Sequence, residues 1–476
     1  MTRNTVSVMV AITMLGTTLL GNVPQGMISS NMGNSFIFGK WFHHGPSVPG
    51  RPSQTTTVKE TTEQRTTEQR TTEEVTTEEA TTEKETTTEQ RTTEEATTEE
   101  ITTEKETTTL SDEDQKHNEE LYNDIYKYKE LASKEAEWLW SQQMSNGALA
   151  FYNEQNGQVS INPYFSEIVA IALINHDSSD TAKKNIERYF DWHMSHLNTA
   201  QTDYNGVAGT IYDYTAVVKD GVVVSETSKN SYDSTDSYSA LFVKALADYV
   251  KVYGDTTYLE KEKQNIRDIV NVMFATMSGG YTYAKPDYKI RYLMDNSEVY
   301  AGLVSAKYIY ENVIDDNDMY EKVSDAVKFY DEHFNEHWWM GDHYATVLND
   351  DYSEYNGYSF SWDMLYPCAS SEIYPVIYGI VDADSIYAKT VYEGFCKAWN
   401  WQDMDYIAKG ETVFCWGSFS YMGGIMDDKM RLDSYMGKYE DIVDAGRKYP
   451  LYSSESAMVL GACDGMANQL RAQVKR

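Results

Sequence analysis

Residues Ser234–Met277 read STDSYSALFVKALADYVKVYGDTTYLEKEKQNIRDIVNVMFATM. Apolar side chains recur there at three-to-four spacing, once over Ser234–Tyr253 and again over Tyr258–Met277, with Gly254-Asp255 between the two runs. That spacing places the apolar residues on one face of a helix, and a Gly-Asp link is a stop and a turn. The stretch predicts two helices folded back on each other.

Outward from this hairpin the pattern repeats. Helical periodicity covers Leu121–Met144, Tyr164–Asn175 and Ala182–Leu197 on the N-terminal side. On the C-terminal side it covers Ser297–Glu311, Met319–Phe334, Ser371–Val381, Ile386–Trp399, Gly417–Met426, Leu432–Ala445 and Ser454–Leu470. This makes about twelve helices, with one alternating, hairpin-like insert at Gly206–Ser228. Links after even-numbered helices are short. Links after odd-numbered helices are long: Asn146–Pro163, Asn198–Tyr232, Ser278–Met294, Asn335–Ala369 and Asn400–Trp416. Short links at one end and long loops at the other describe a ring of hairpins with one decorated face. Six such hairpins close into an all-α (α/α)6 barrel, with the even-numbered helices inside and their N-termini under the long loops.

The rest of the 476-residue chain does not read as a folded core. Arg3 precedes an apolar run, Val6 to Leu20, too short and too polar for a membrane span; residues 1–25 are expected to be an export signal, with an N-terminal anchor as the alternative. Residues 26–54 carry little order in their pattern. Residues 55–109 are a Thr/Glu tract of TTEQR, TTEEV, TTEEA and TTEKE pentapeptides, which lack apolar side chains to stack and read as an extended, self-repelling tether. Residues 112–476 are left as the barrel. The expected location is extracellular, secreted or at the cell surface.

Charge narrows the function. There are 74 Asp+Glu against 40 Lys+Arg, so no basic stripe exists to neutralise nucleic-acid phosphates or an anionic membrane. Cys368, Cys396, Cys415 and Cys463 show no CxxC spacing. No P-loop, GxGxxG, HExxH or GxSxG occurs, so no cofactor, metal or nucleophilic triad is expected. His333 and His337 are four apart, the spacing of a helical metal pair, but on an outer helix they read as a solvated face. The 38 Tyr and 10 Trp supply flat apolar faces with polar tips, suited to stacking on sugars.

The inner-helix starts share a pattern: Ser166-Glu167, Thr235-Asp236, Ser297-Glu298, Ser371-Glu372 and Ser454-Glu455, with Gly417-Ser418 the exception. Helix capping accounts for one hydroxyl and one acid, and is the reading taken for Glu372 and Glu455. Two starts carry a second acid, Asp233-Ser-Thr-Asp236-Ser-Tyr238 and Asp295-Asn-Ser-Glu298-Val-Tyr300. Carboxylates three residues apart share a helix side, and crowding raises the pKa of one of them, as a general acid requires.

These segments resemble the six-hairpin glycosidase superfamily: Tyr232–Leu241 with Tyr249 and Tyr253-Gly-Asp255, Met294–Leu303 and Ile161–Ala170, within a likeness spanning about Asn118 to Leu470. The resemblance implies glycosidic-bond cleavage by two carboxylates in a groove over the inner-helix N-termini, several members being inverting. No acid motif specific to the cellulase, glucoamylase or unsaturated-uronide members is present. The bottom-up chemistry is of the same type, since glycoside hydrolysis needs one protonated and one ionised carboxyl and no cofactor. The expectation is Asp236 as acid and Glu298 as base, with Asp233 and Asp295 tuning or gripping. Tyr164, Glu167, Tyr212, Asp213, Trp362, Asp363 and Trp416 are expected to line the groove, and the substrate to be a poly- or oligosaccharide bound by a monomer. Two alternatives stand beside this one. A polysaccharide lyase on the same toroid would use the Arg291-Tyr292 pair, and a surface module would bind glycan without turnover.

Overall fold

The computed structural model describes residues 110–475, apart from 412–413 and 449–450. The expected export segment at 1–25, the 26–54 stretch and the Thr/Glu tract lie outside the described residues. Twelve principal helices run in chain order: α1 (Asp112–Ser141), α2 (Pro163–His176), α3 (Asp180–Ser195), α4 (Thr235–Tyr253), α5 (Lys263–Thr276), α6 (Leu293–Asn312), α7 (Asn317–Trp338), α8 (Tyr374–Ile377), α9 (Ile386–Ala398), α10 (Gly417–Ile425), α11 (Lys429–Asp444) and α12 (Ser453–Gln473).

The even-numbered helices form a closed inner ring. Each packs on the next, α2 on α4, α4 on α6, α6 on α8, α8 on α10 and α10 on α12, and α12 packs back on α2. The odd-numbered helices pack outside, with α3 on α2, α5 on both α4 and α6, α7 on α6 and α11 on α10. The chain is an (α/α)6 barrel. Side-chain burial follows from the two positions. In α3, Ala182, Ile186, Tyr189, Phe190 and His193 are buried along one stripe, the signature of an outer helix. In α4 almost every residue from Thr235 to Val250 is buried, because an inner helix is covered on all sides.

Inner helices can approach closely where side chains are small. A Cβ added to Gly302 of α6 would lie 2.5 Å from Ala240 Cα and 2.6 Å from Ala240 Cβ on α4. The first described helix meets the C-terminal part of the barrel through a buried ion pair. Arg447, just after α11, donates to both carboxylate oxygens of Glu135 on α1, at 2.6 Å for Nη2 to Oε1. Tyr439 and Ser456 complete the buried network.

Three sequence expectations change in detail. The eighth helix does not run unbroken over Ser371–Val381: a π-turn at Leu365–Ala369 precedes the four-residue α8. Pro367 and Pro375 stand in these two pieces, and each removes a backbone donor. The insert is a three-stranded antiparallel sheet, with β1 (Gln158–Ile161) pairing with β2 (Tyr214–Lys219) and β2 with β3 (Val222–Ser228). Its tight turn is Asp220-Gly221, both at positive φ, as a two-residue hairpin requires. The third change concerns the inner-helix starts. Asn162 caps α2 by accepting from the Phe165 amide, and α6 begins at Leu293, so Glu167 and Glu298 lie inside their helices. The four cysteines are free.

Candidate active site

The N-terminal ends of the inner helices carry a polar seam. Ser234, which precedes α4, makes no capping bond to its own helix. Its hydroxyl lies 2.6 Å from Asp236 Oδ1 and 3.1 Å from Asp295 Oδ2. One hydroxyl has one proton to donate. Shared between the two carboxyls, that hydroxyl links Asp236 of α4 to Asp295 of α6. Burial pushes both carboxyls up, and for Asp295 the negative charges of Asp236 and Glu298 add to the effect. The two acid-bearing turns thus converge on Ser234.

Asp236 itself is fully buried. Its Oδ1 also accepts from the Ser237 amide at 2.9 Å, and its Oδ2 accepts from the Thr282 hydroxyl at 2.6 Å. Thr282 is held in turn by Asn296 of α6, which exchanges hydrogen bonds with the Thr282 backbone.

Glu298 stands on the next turn of α6. Its Oε1 accepts from the Tyr164 hydroxyl at 2.6 Å, and burial pushes its carboxyl up to about 8. Tyr164 belongs to the wall of a cleft of ≈ 510 Å³, measured with the space at its mouth. Phe165 and Ile168 of α2, Met294 of α6, Tyr374 of α8, Trp416 and Ser418 at α10, and Tyr452, Ser454, Glu455 and Met458 at α12 share that wall. The cleft therefore lies on the ring axis at the N-terminal ends of the inner helices.

Glu455 is the carboxyl on this wall. It does not cap its own helix: its Oε2 accepts from the Gly417 amide, the first residue of α10. A Cβ on Gly417 would lie 2.3 Å from the Glu455 carbonyl oxygen, so this contact requires glycine. The helix start that lacks an acid in the sequence borrows one from α12. Burial pushes Glu455 up to about 7, against the Gly417 hydrogen bond. The Tyr374 phenol is fully enclosed on this wall, and burial together with the charges of Glu298 and Glu455 pushes it well up. Trp416 enters α10 with φ 51°, a left-handed backbone uncommon for a bulky residue. Its ring stacks on Phe419, 5.3 Å between centroids at 4°.

The other expected residues divide into two groups. Asp213 extends the seam: its Oδ1 accepts from Tyr238 at 3.2 Å, and Tyr238 packs 5.8 Å from Tyr164. Burial pushes Asp213 to about 7, with Lys229 opposing and Asp233 adding. Glu167, Tyr212, Trp362 and Asp363 are not on the cleft wall. Glu167 is fully buried, 3.6 Å from His193 Nδ1, with neither oxygen hydrogen-bonded. Tyr212 donates to the Thr202 carbonyl and joins Tyr204 and Tyr232 in a cluster of three rings, which holds its own loop together. Trp362 packs against Gly394 of the outer helix α9, and Asp363 is exposed. Aromatic content marks Tyr212 and Trp362 as loop residues but does not say which way a loop side chain turns.

Glu372 also departs from the capping reading. It is fully buried and accepts from the Tyr344 amide at 2.8 Å, a residue of the preceding loop. Arg291, one member of the lyase alternative, is buried and engaged by the Ser278 and Asn349 carbonyls and by Asp350 at 2.9 Å.

No family model matches the sequence, and no curated protein is detectably similar to it. Solved structures are similar to it in shape. A wild-type glycosidase aligns with 72% of this chain and 98% of its own at 11% identity and TM-score 0.48. A novel alpha-amylase from Clostridium perfringens aligns over 69% and 95% at 11% identity and TM-score 0.42. Cellobiose 2-epimerase from Spirochaeta thermophila aligns over 77% and 100% at 10% identity and TM-score 0.46.

Proposed function

We propose that the chain is a secreted or cell-surface glycoside hydrolase that cleaves a poly- or oligosaccharide with two carboxyls, Glu298 and Glu455. The supporting observation is the axial cleft. Glu455 and Tyr374 lie on its wall, and Tyr164 on the same wall donates to Glu298. Glu298, held up to about 8, is protonated at neutral pH and suits the general acid. Glu455, at about 7, is partly ionised there and suits the base that activates water. Inversion is the outcome expected, as in several members of the superfamily the sequence resembles.

Asp236 was the acid expected from the sequence. With both oxygens hydrogen-bonded, it fits better as a supporting acid beside Glu298, linked to Asp295 through Ser234. Tyr164, Tyr374, Tyr452 and Trp416 supply the faces a pyranose ring stacks on. The proposed partner is a glycan.

Product analysis of the purified full chain on plant, microbial and host glycans tests this reading. Glu298→Gln and Glu455→Gln are each expected to lower kcat by about 10²–10⁴-fold, with Asp236→Asn less affected. Unsaturated products absorbing in the ultraviolet would establish a lyase instead. Glycan binding with no product from the parent chain would sink the hydrolase reading.

A further inference from the structure

The last turns of α7 carry three potential ligands on one face, at the far side of the barrel wall from the cleft. His333, Glu336 and His337 stand at i, i+3 and i+4, and one ligand atom from each lies within 4.8 Å of the other two. The imidazoles are 5.4 Å apart between centroids and nearly parallel, at 15°. Helical spacing alone gives only proximity. The structure adds orientation.

His337 is held by two contacts. Its ring stacks on Tyr352 at 3.9 Å and 2°, and its Nδ1 lies 3.2 Å from the Tyr281 hydroxyl. Tyr281 is buried, and Tyr352 is tied to the Gly279 carbonyl at 2.9 Å. When the Tyr281 oxygen accepts the Nδ1 proton, Nε2 keeps its lone pair for a metal. A hydrogen-bonded second ring nitrogen is the usual support of a metal-binding histidine. His333 is braced by the Phe329 ring at 4.9 Å, and its Nδ1 lies 3.2 Å from Glu336 Oε2. The other nearby acids are engaged elsewhere: Asp331 accepts from Tyr300 at 2.8 Å, and Glu332 pairs with Lys328 at 3.9 Å.

We propose that His333, Glu336 and His337 form a surface site for a borderline divalent cation, Zn²⁺ being the probe of choice. Two imidazoles and one carboxylate suit Zn²⁺, Ni²⁺ or Cu²⁺ rather than Mg²⁺ or Ca²⁺, which prefer all-oxygen shells. Three protein ligands leave a tetrahedral ion one position for water.

Titrating Zn²⁺ into the metal-free full chain against a chromogenic indicator tests the site. The parent is expected to hold about one equivalent more than His333→Ala or His337→Ala. Tyr281→Phe keeps that equivalent but binds it about tenfold more weakly, the lower end of what losing an outer partner costs. Circular dichroism without metal should be the same for all four proteins, since both histidines are partly exposed and Tyr281→Phe removes a single hydroxyl without changing the buried ring. Equal Zn²⁺ uptake by parent and histidine variants would overturn the proposal, as would displacement of Zn²⁺ by equimolar Mg²⁺.

Discussion

Tyr164 shows how one side chain sets the chemistry proposed for another. Its hydroxyl donates to Glu298 and so favours the ionised carboxylate, while burial and neighbouring acids act against it. Tyr164→Phe removes the donor and leaves desolvation unopposed by it. The Glu298 pKa then rises further, by about one unit if the bond contributes about 1.4 kcal/mol to the charged form. In the pH profile of kcat/KM, the acid limb belongs to Glu455 near 7 and the alkaline limb to Glu298 near 8. The variant should move the alkaline limb upward and leave the acid limb in place. A shift of the acid limb alone would reverse the assignment of roles. At this scale the sequence is informative about local crowding. The pairs Asp233/Asp236 and Asp295/Glu298 are visible because their members are three residues apart. Glu455 is not, because what distinguishes it is Gly417, which is adjacent only after the ring closes. Nothing local separates Glu455 from Glu372 or Glu167, since all three follow a serine at an inner-helix start.

At the scale of elements, the inner ring depends on how close its helices come. Gly302 faces Ala240 across α4 and α6, and the nearest atoms of Ala240 include its Cα, which cannot rotate away. Gly302→Ala therefore has to push two inner helices apart. Overpacking of this kind costs about 1–3 kcal/mol, and since the same two helices carry Asp236 and Glu298, activity should fall with it. Thermal melting should show a lower midpoint; an unchanged midpoint would mean the pair is looser than drawn. The helices themselves are legible because period and loop length are local quantities. The eighth helix is not, because two prolines interrupt a stretch whose apolar content still reads as helical. The β1 strand is missed for a related reason: four residues give too short an alternation, and its partner strand β2 lies more than fifty residues away.

At the scale of the whole molecule, acids with raised pKa values dominate the interior. Glu298 at about 8, Glu455 at about 7 and Asp213 at about 7 lie above the ordinary values of 4.5, 4.5 and 3.8. Glu167, Glu372 and Asp295 are raised as well, chiefly by burial. Between about pH 4 and pH 8 the folded barrel holds protons that the unfolded chain has released. Stability then falls as pH rises. The contribution of each such group is fully present below its unfolded pKa and lost as pH climbs through its folded one. The formal net charge of −34 works in the same direction, since self-repulsion grows as the last carboxyls ionise. Asp255 is the counter-case. Its hydrogen bond from Lys183 lowers it to about 2, so its contribution is present above 3.8 and lost only as pH falls toward 2. The balance predicts a barrel more resistant to denaturant at pH 5 than at pH 8.5, the reverse of a protein dominated by surface ion pairs. Urea midpoints for the full chain at the two pH values measure this. Glu298→Gln, neutral at both, should reduce the difference, whereas a parent midpoint that rises with pH would show that the buried acids are ionised in the fold.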